Sequence, residues 1–308
     1  MAEEVIIGVD TGNRCIKTAN NVFVSGVKES DNEVALQDGV LTYNGKHYML
    51  SQNRISYLQD KTQSEEYFIL TLFAIAKELK TRNIDMSRVI SVSLGVGLPP
   101  SHLPLYKHKF EKYFKRGIVS FVYDKKKIQI AIGRVVVFAQ GYAAIYKDFA
   151  DIKEFARSYI IDIGGYTTDV ISLSYGKIEP DFCQSLDMGL IKLYNQITWE
   201  IQKKYGRAPN ESQIDNAMEK GIEISERMPI LAIINSEAEK YLNDILRHLN
   251  EYGIDLMFSK GIFTGGGAER LKKWIESSAL LQSPYFILNV YANAQGYEAF
   301  LRTIQNRL

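Results

Sequence analysis

Two distant stretches of this chain repeat one pattern. "IIGVDTGNRCIK" and "YIIDIGGYTTDV" each run through an apolar segment, an Asp, one residue and a Gly before the chain turns back. Asp10 aligns with Asp162, and Lys17 with Asp169, at one constant offset. Short apolar runs around a turn read as paired strands. Each copy is therefore a strand-turn-strand unit, and its duplication predicts two related lobes.

The length of 308 residues and a hydrophobic share of 46% supply enough core for two lobes. We place their boundary near 150, giving lobes 1–150 and 151–308. Lys and Arg total 37 against 36 Asp and Glu, a formal net charge of +1. That balance gives no support to extensive direct binding of nucleic acid. Two cysteines, Cys15 and Cys183, make no disulfide framework and fit a reducing interior. No apolar run approaches the roughly 20 residues of a membrane span, and the acidic start at Glu3 and Glu4 is unlike a secretory leader. The expectation is a cytoplasmic protein that does not engage a membrane.

Within the first lobe, Asp38-Gly39 and Asn44-Gly45 are hairpin signals, and they predict a small hairpin-containing subdomain around 28–60. Phe68, Leu72, Ile75 and Leu79 have helical spacing, with Ser64 as N-cap. "VISVSLGVGLPP" reads as a strand ended by its proline pair, and a strand-to-helix change is expected at Gln140, with helix from Ala139 to Tyr146. In the second lobe the spacing of Leu190, Leu193, Ile197 and Ile201 predicts a helix stopped by Gly206. Asn210 and Gln213 form a capping-box pattern, and a further helix closes at Gly253, which together predict a helical subdomain around 200–258.

The turns have a chemical use. Gly12, Gly164 and Gly165 allow close backbone approach, so their amides suit phosphate oxygens. Asp10 and Asp162 alone repel a polyphosphate, but a hydrated divalent ion between acid and phosphate removes the objection. Lys17 is placed to neutralise terminal phosphate charge, and Thr11, Thr167 and Thr168 offer hydroxyls. A third unit, "GIFTGGGAERLKKWI", leads through Gly265, Gly266 and Gly267 into a helix with Glu269 expected in its first turn, a setting for base, ribose and phosphate. The Gln140 amide is suited to hold a water by one donated and one accepted hydrogen bond. Neither a Gly-x-x-x-x-Gly-Lys-Ser/Thr loop nor a Gly-x-Gly-x-x-Gly fingerprint is present. His47, His102, His108 and His248 lack a zinc spacing.

Taken in order, Asp10-Thr11-Gly12, Gln140, the segment Asp162 to Asp169, Thr264 to Glu269 and the closing "NAQGYEAF" resemble the actin and Hsp70-type ATPase superfamily. Within it they resemble the ParM/StbA-like bacterial actins of plasmid segregation. The resemblance implies an α/β, actin-like (ribonuclease H-like) two-lobed ATPase fold with a nucleotide cleft between lobes. It implies ATP and Mg2+ held by Asp10, Thr11, Gly12, Asn13, Lys17, Gly164, Gly165, Tyr166, Thr167, Gly265, Gly266, Gly267 and Glu269. Asp10 and Asp162 would take the metal through water, and Gln140 and Asp162 would serve hydrolysis. A residue in 210–223 would contact the ribose. Two departures stand out: Tyr166 replaces a residue that is often glycine, and Gln140 replaces an acid found in some plasmid actins. The function implied is ATP-driven self-association into filaments that move plasmid DNA, which is contacted only indirectly through a centromere-binding adaptor. A small-molecule kinase and a non-polymerising scaffold or chaperone-like ATPase are the alternatives on the same fold.

Overall fold

The computed structural model describes residues 4–30, 38–180, 183–221 and 229–306. It divides into two compact units, Met1–Asp148 with Val290–Leu308, and Phe149–Asn289.

The first unit opens on β1 (Val5–Thr11) and β2 (Cys15–Lys17), the first copy of the repeat, joined antiparallel with Asp10 opposite Lys17. Next come β3 (Val22–Val24), β4 (Val27–Ser30), β5 (Val40–Tyr43) and β6 (Lys46–Leu50). Asn44 and Gly45, at φ 50 and 76, turn β5 into β6, as two-residue hairpins require. Asp38-Gly39 precedes β5, while 31–37 lie outside the described residues. Helix α1 (Glu66–Thr81) is buried on nearly every side, which explains its unbroken apolar run. The N-cap position falls on Glu65, which makes no side-chain cap bond, rather than on the expected Ser64; the Ser64 hydroxyl still accepts from the Glu66 N–H at 3.1 Å. Then follow β7 (Ile90–Leu98), α2 (Leu103–Phe114), β8 (Gly117–Tyr123) and β9 (Lys126–Ala139). Among the described residues these strands form one sheet in the order β3-β2-β1-β7-β9-β8-β5-β6-β4. Its centre, β1-β7-β9, is parallel, and β7 is buried over almost its whole length, as a covered parallel strand should be.

The expected helix from Ala139 is not what forms. The Gln140 N–H continues the ladder by donating to the Leu98 carbonyl at 2.9 Å, Gly141 then takes a left-handed φ of 74, and only a 3₁₀ turn, Ala143–Lys147, follows.

The second unit contains α3 (Phe149–Ile152), β10 (Arg157–Ile163), β11 (Thr168–Ser174), β12 (Lys177–Ile178) and β13 (Gln184–Leu186). After them come α4 (Leu190–Tyr205), α5 (Glu211–Lys220), α6 (Leu231–Glu251), β14 (Lys260–Thr264), α7 (Gly265–Ser277) and β15 (Tyr285–Ile287). Gly206 ends α4 at φ 69, and the Asn210–Gln213 capping box starts α5. The sheet runs β12-β11-β10-β14-β15, with β13 also on β11. Three antiparallel strands are followed by two parallel ones, the same order as β3-β2-β1-β7-β9. The duplication seen in two short turns thus extends to whole sheets.

Helix α8 (Ala292–Gln305) corrects the division read from the sequence, which placed 290–308 in the second lobe. It packs on β1 because glycines leave it room. A Cβ on Gly8 would lie 2.0 Å from the Ala294 carbonyl oxygen, and one on Gly296 would lie 1.9 Å from that of Ala143. The Gly8 N–H also donates to Glu298 Oε1 at 3.1 Å, and Arg82 bonds both Glu298 and the Ile6 carbonyl. No described helix is long and apolar enough to cross a membrane.

Candidate functional site

The first unit holds six of the predicted residues, five around the first acidic turn and Gln140 beside it. Asp10 is the next-to-last residue of β1 and is 3% exposed. Its carboxylate accepts from Gln140 Nε2 at 2.7 Å and from Lys17 Nζ at 3.5 Å, two donors that offset its burial. Gln140 is brought there because β9 lies two strands from β1 and ends level with it. Thr11 is fully buried, and its hydroxyl has no hydrogen-bond partner among the described residues. Asn13 Oδ1 accepts from the Tyr67 hydroxyl at 2.8 Å. A Cβ on Gly12 would lie 2.7 Å from the Cys15 carbonyl oxygen, so the turn is too tight for a side chain.

Sequence reading missed two groups here. The Lys61 ammonium, 5% exposed, donates to the Thr11 carbonyl, and the Ser25 hydroxyl donates to the Gly12 carbonyl at 2.5 Å. Both are remote in sequence from the turn, and no motif marks them. Lys61 sits in the 3₁₀ turn Lys61–Gln63, capped by Asp60, which Lys109 holds at 2.5 Å. Beside it, His102 is held below the usual histidine range by burial and by the Lys61 charge.

The second acidic turn repeats the first with a different support. Asp162 pairs with Asp169 across β10 and β11, as Asp10 does with Lys17 across β1 and β2. The Gly164 N–H donates to Thr167 at 2.8 Å, and the Gly164 and Gly165 carbonyls accept from Leu190 and Ile191 N–H, each at 3.0 Å. The start of α4 therefore spends two of its free amides on this turn. Gly189 lets the chain pass close to this turn: a Cβ there would lie 2.2 Å from the Tyr166 carbonyl carbon and 2.3 Å from the Gly165 carbonyl oxygen. Thr168 donates to the Met188 carbonyl at 2.5 Å, and Asp169 accepts from Ser185 at 2.5 Å and from Thr167 at 3.4 Å.

The glycine run is placed differently from its sequence reading. Gly265, Gly266 and Gly267 are the first turn of α7 rather than a loop before it, and Glu269 is exposed in the second turn. Two of the three glycines are required by this chain's own packing. At φ 87, Gly265 faces Asp162, whose Oδ1 would lie 2.3 Å from a Cβ; at Gly267 a Cβ would meet Ile163 Cγ2 at 2.2 Å. Only Gly266 faces open space. The run thus joins the second acidic turn to α7. Arg270, the neighbour of Glu269, ties α7 to α5 through Asp215 at 3.0 Å and Glu219 at 3.3 Å, and Tyr194 also donates to Asp215. Within the 210–223 segment, 222 and 223 lie outside the described residues.

A family model for the N-terminal domain of actin-like proteins matches residues 8–142, and one for the C-terminal part of archaeal MreB-like actin homologues matches residues 160–277. The chain belongs to the actin-like superfamily. Solved structures repeat this actin-like fold over the full length. An archaeal actin homologue superposes with a TM-score of 0.78 at 20% identity, covering 97% of this chain and 99% of its own. A ParM filament from Clostridium botulinum gives 0.75 at 19%, covering 98% and 99%. The actin-like protein Alp7A gives 0.76 at 15%, covering 99% and 98%. The archaeal homologue has also been solved in complex with ADP, at a TM-score of 0.74 and 17% identity, with 97% and 99% covered. No curated protein sequence gives a significant match.

Proposed function

We propose that this actin-like chain is an ATPase that binds Mg2+ and ATP through its two acidic turns and assembles into filaments. The observation that carries the reading is the duplicated register. Asp10 opposite Lys17 and Asp162 opposite Asp169 stand at equivalent places in two sheets of equivalent strand order. Support also comes from the ADP complex of the archaeal homologue and from the ParM filament.

The residues present suit such a ligand. The Thr11 hydroxyl is buried without a partner, Gly12 is a turn too tight for a side chain, and Asp10 is already held by two donors. Among the described residues no three His, Cys, Asp or Glu side chains gather as a metal cluster. Asp10 and Asp162 would hold Mg2+ through water, the usual manner for this ion, and it would supply neutralisation of phosphate charge. Asn13, Gly164, Gly165, Tyr166 and Thr167 would line the phosphates, and Gly266 leaves space beside the start of α7 for the nucleoside. Gln140 donates to Asp10 through its nitrogen, and its oxygen would accept from the attacking water, with Asp162 assisting proton removal. Plasmid DNA as cargo, reached through a centromere-binding adaptor, follows from the resemblance to plasmid-segregating actins.

Phosphate release from Mg-ATP tests this reading. Gln140→Ala and Asp162→Ala are expected to bind ATP and release phosphate at least about tenfold more slowly than wild type, the scale of losing one positioned catalytic group. Release at the wild-type rate in both would remove their proposed roles.

A further inference from the structure

We infer that Lys61 and Ser25 are positioning residues of the first acidic turn, holding its carbonyls from one side so that the following N–H groups are aimed at phosphate. The inference rests on the reading of that turn as a phosphate site. A trans peptide is planar, with its C=O and N–H pointing in opposite directions. Anchoring the Thr11 carbonyl on the Lys61 ammonium therefore fixes the direction of the Gly12 N–H. Anchoring the Gly12 carbonyl on the Ser25 hydroxyl at 2.5 Å does the same for the Asn13 N–H. Two successive amides are thus turned away from Lys61 and Ser25. Backbone N–H groups fixed in this manner make an anion-binding concavity.

The second turn shows the same device built from other parts. Its Gly164 and Gly165 carbonyls are held at 3.0 Å by the Leu190 and Ile191 amides at the start of α4, which turns the Gly165 and Tyr166 N–H groups the other way. Gly12 and Gly164 are equivalent positions in the repeat. One carbonyl is therefore held in both copies, by a serine in one and by a helix amide in the other. In the first turn the corresponding carbonyls are held by side chains, those of Lys61 and Ser25.

The surroundings of Lys61 fit this task. It is 5% exposed, with its ammonium 5.2 Å from the Tyr67 ring, and Asp60 next to it is fixed by Lys109 and by the Thr62 hydroxyl at 2.6 Å. A lysine so enclosed keeps one geometry, and its charge lies behind the turn where an anion is to bind. Ser25 is fully buried and its N–H donates to the Arg14 carbonyl at 3.0 Å, which fixes its hydroxyl relative to the turn.

The test is steady-state ATP hydrolysis by the full chain in Lys61→Met, which keeps the length and packing of the side chain but removes the donor, and in Ser25→Ala. An aim lost equally for bound substrate and transition state appears in KM. The expected result is a KM for ATP raised about tenfold in Lys61→Met, the scale of a hydrogen bond from a charged group, and a smaller rise in Ser25→Ala. A KM unchanged in both, whatever happens to kcat, overturns the inference, because a merely structural lysine would lower the folded fraction and hence kcat alone. If Lys61→Met does not fold, Ser25→Ala decides by the same criterion. A wild-type chain without ATP hydrolysis refutes the proposed function itself, and is told apart by requiring no variant.

Discussion

Asp10 shows how much of this site a single residue organises. Its burial is balanced by Gln140 from the end of β9 and Lys17 from the facing strand, so one carboxylate fixes three elements of the first unit. The groups behind it respond to pH. Burial and the Lys61 charge lower the His102 pKa from its ordinary 6.5. Below 6.5 the unfolded chain takes up this proton while the folded chain resists until a lower pH. Stability therefore rises with pH through that window and is lost as pH falls through it, which gives a decline from about pH 6.5 downward. Urea unfolding across the window should show this decline, and His102→Gln should flatten it; an unchanged slope in the variant would assign the effect elsewhere. The acids and glycines of the turns stood out in the sequence because each belongs to a local motif, whereas Gln140 was singled out only through the resemblance. Lys61 and Ser25 did not stand out, since their contacts with Thr11 and Gly12 depend on how distant segments pack.

At the scale of elements, glycine placement decides what the start of α7 can do. Gly265→Ala introduces a Cβ at φ 87 against the Asp162 carboxylate, and overpacking with backbone strain is expected to cost about 2 kcal/mol or more. Gly266→Ala meets nothing within 4 Å, and stability is expected to stay within about 1 kcal/mol of wild type. Chemical denaturation of the two variants checks the contrast, and equal losses would contradict the packing described. The sequence showed a glycine run next to a helix but not that Asp162 and Ile163 fill two of its three positions. The same limit applied at Gln140, where helical spacing was read although the β ladder continues and Gly141 breaks it. The hairpin between β8 and β9 also escaped notice, because Asp124 and Lys125 adopt φ of 49 and 65 without a glycine to mark them. Asn44-Gly45, Gly206 and the Asn210–Gln213 box were readable because their signals are local.

For the whole molecule, two short turns foretold two related lobes; the repeated strand order of their sheets and the return of α8 to the first unit came only with the structure. Periodicity identifies a helix but not the sheet it will cover, and only the close approach at Gly8 and Gly296 reveals the destination. Gly296→Val is expected to destabilise the first unit by about 2 kcal/mol through overpacking against the Ala143 carbonyl, measurable by thermal unfolding. An ATPase whose assembly is driven by ATP should assemble according to which nucleotide is bound. Light scattering of the purified chain with Mg-ATP, with Mg-ADP and without nucleotide, followed by microscopy of the same samples, measures that dependence directly. The account predicts filaments with ATP that are lost on conversion to ADP and are absent in Asp10→Ala. Scattering that is the same in all three conditions, or filaments that persist in Asp10→Ala, would contradict it.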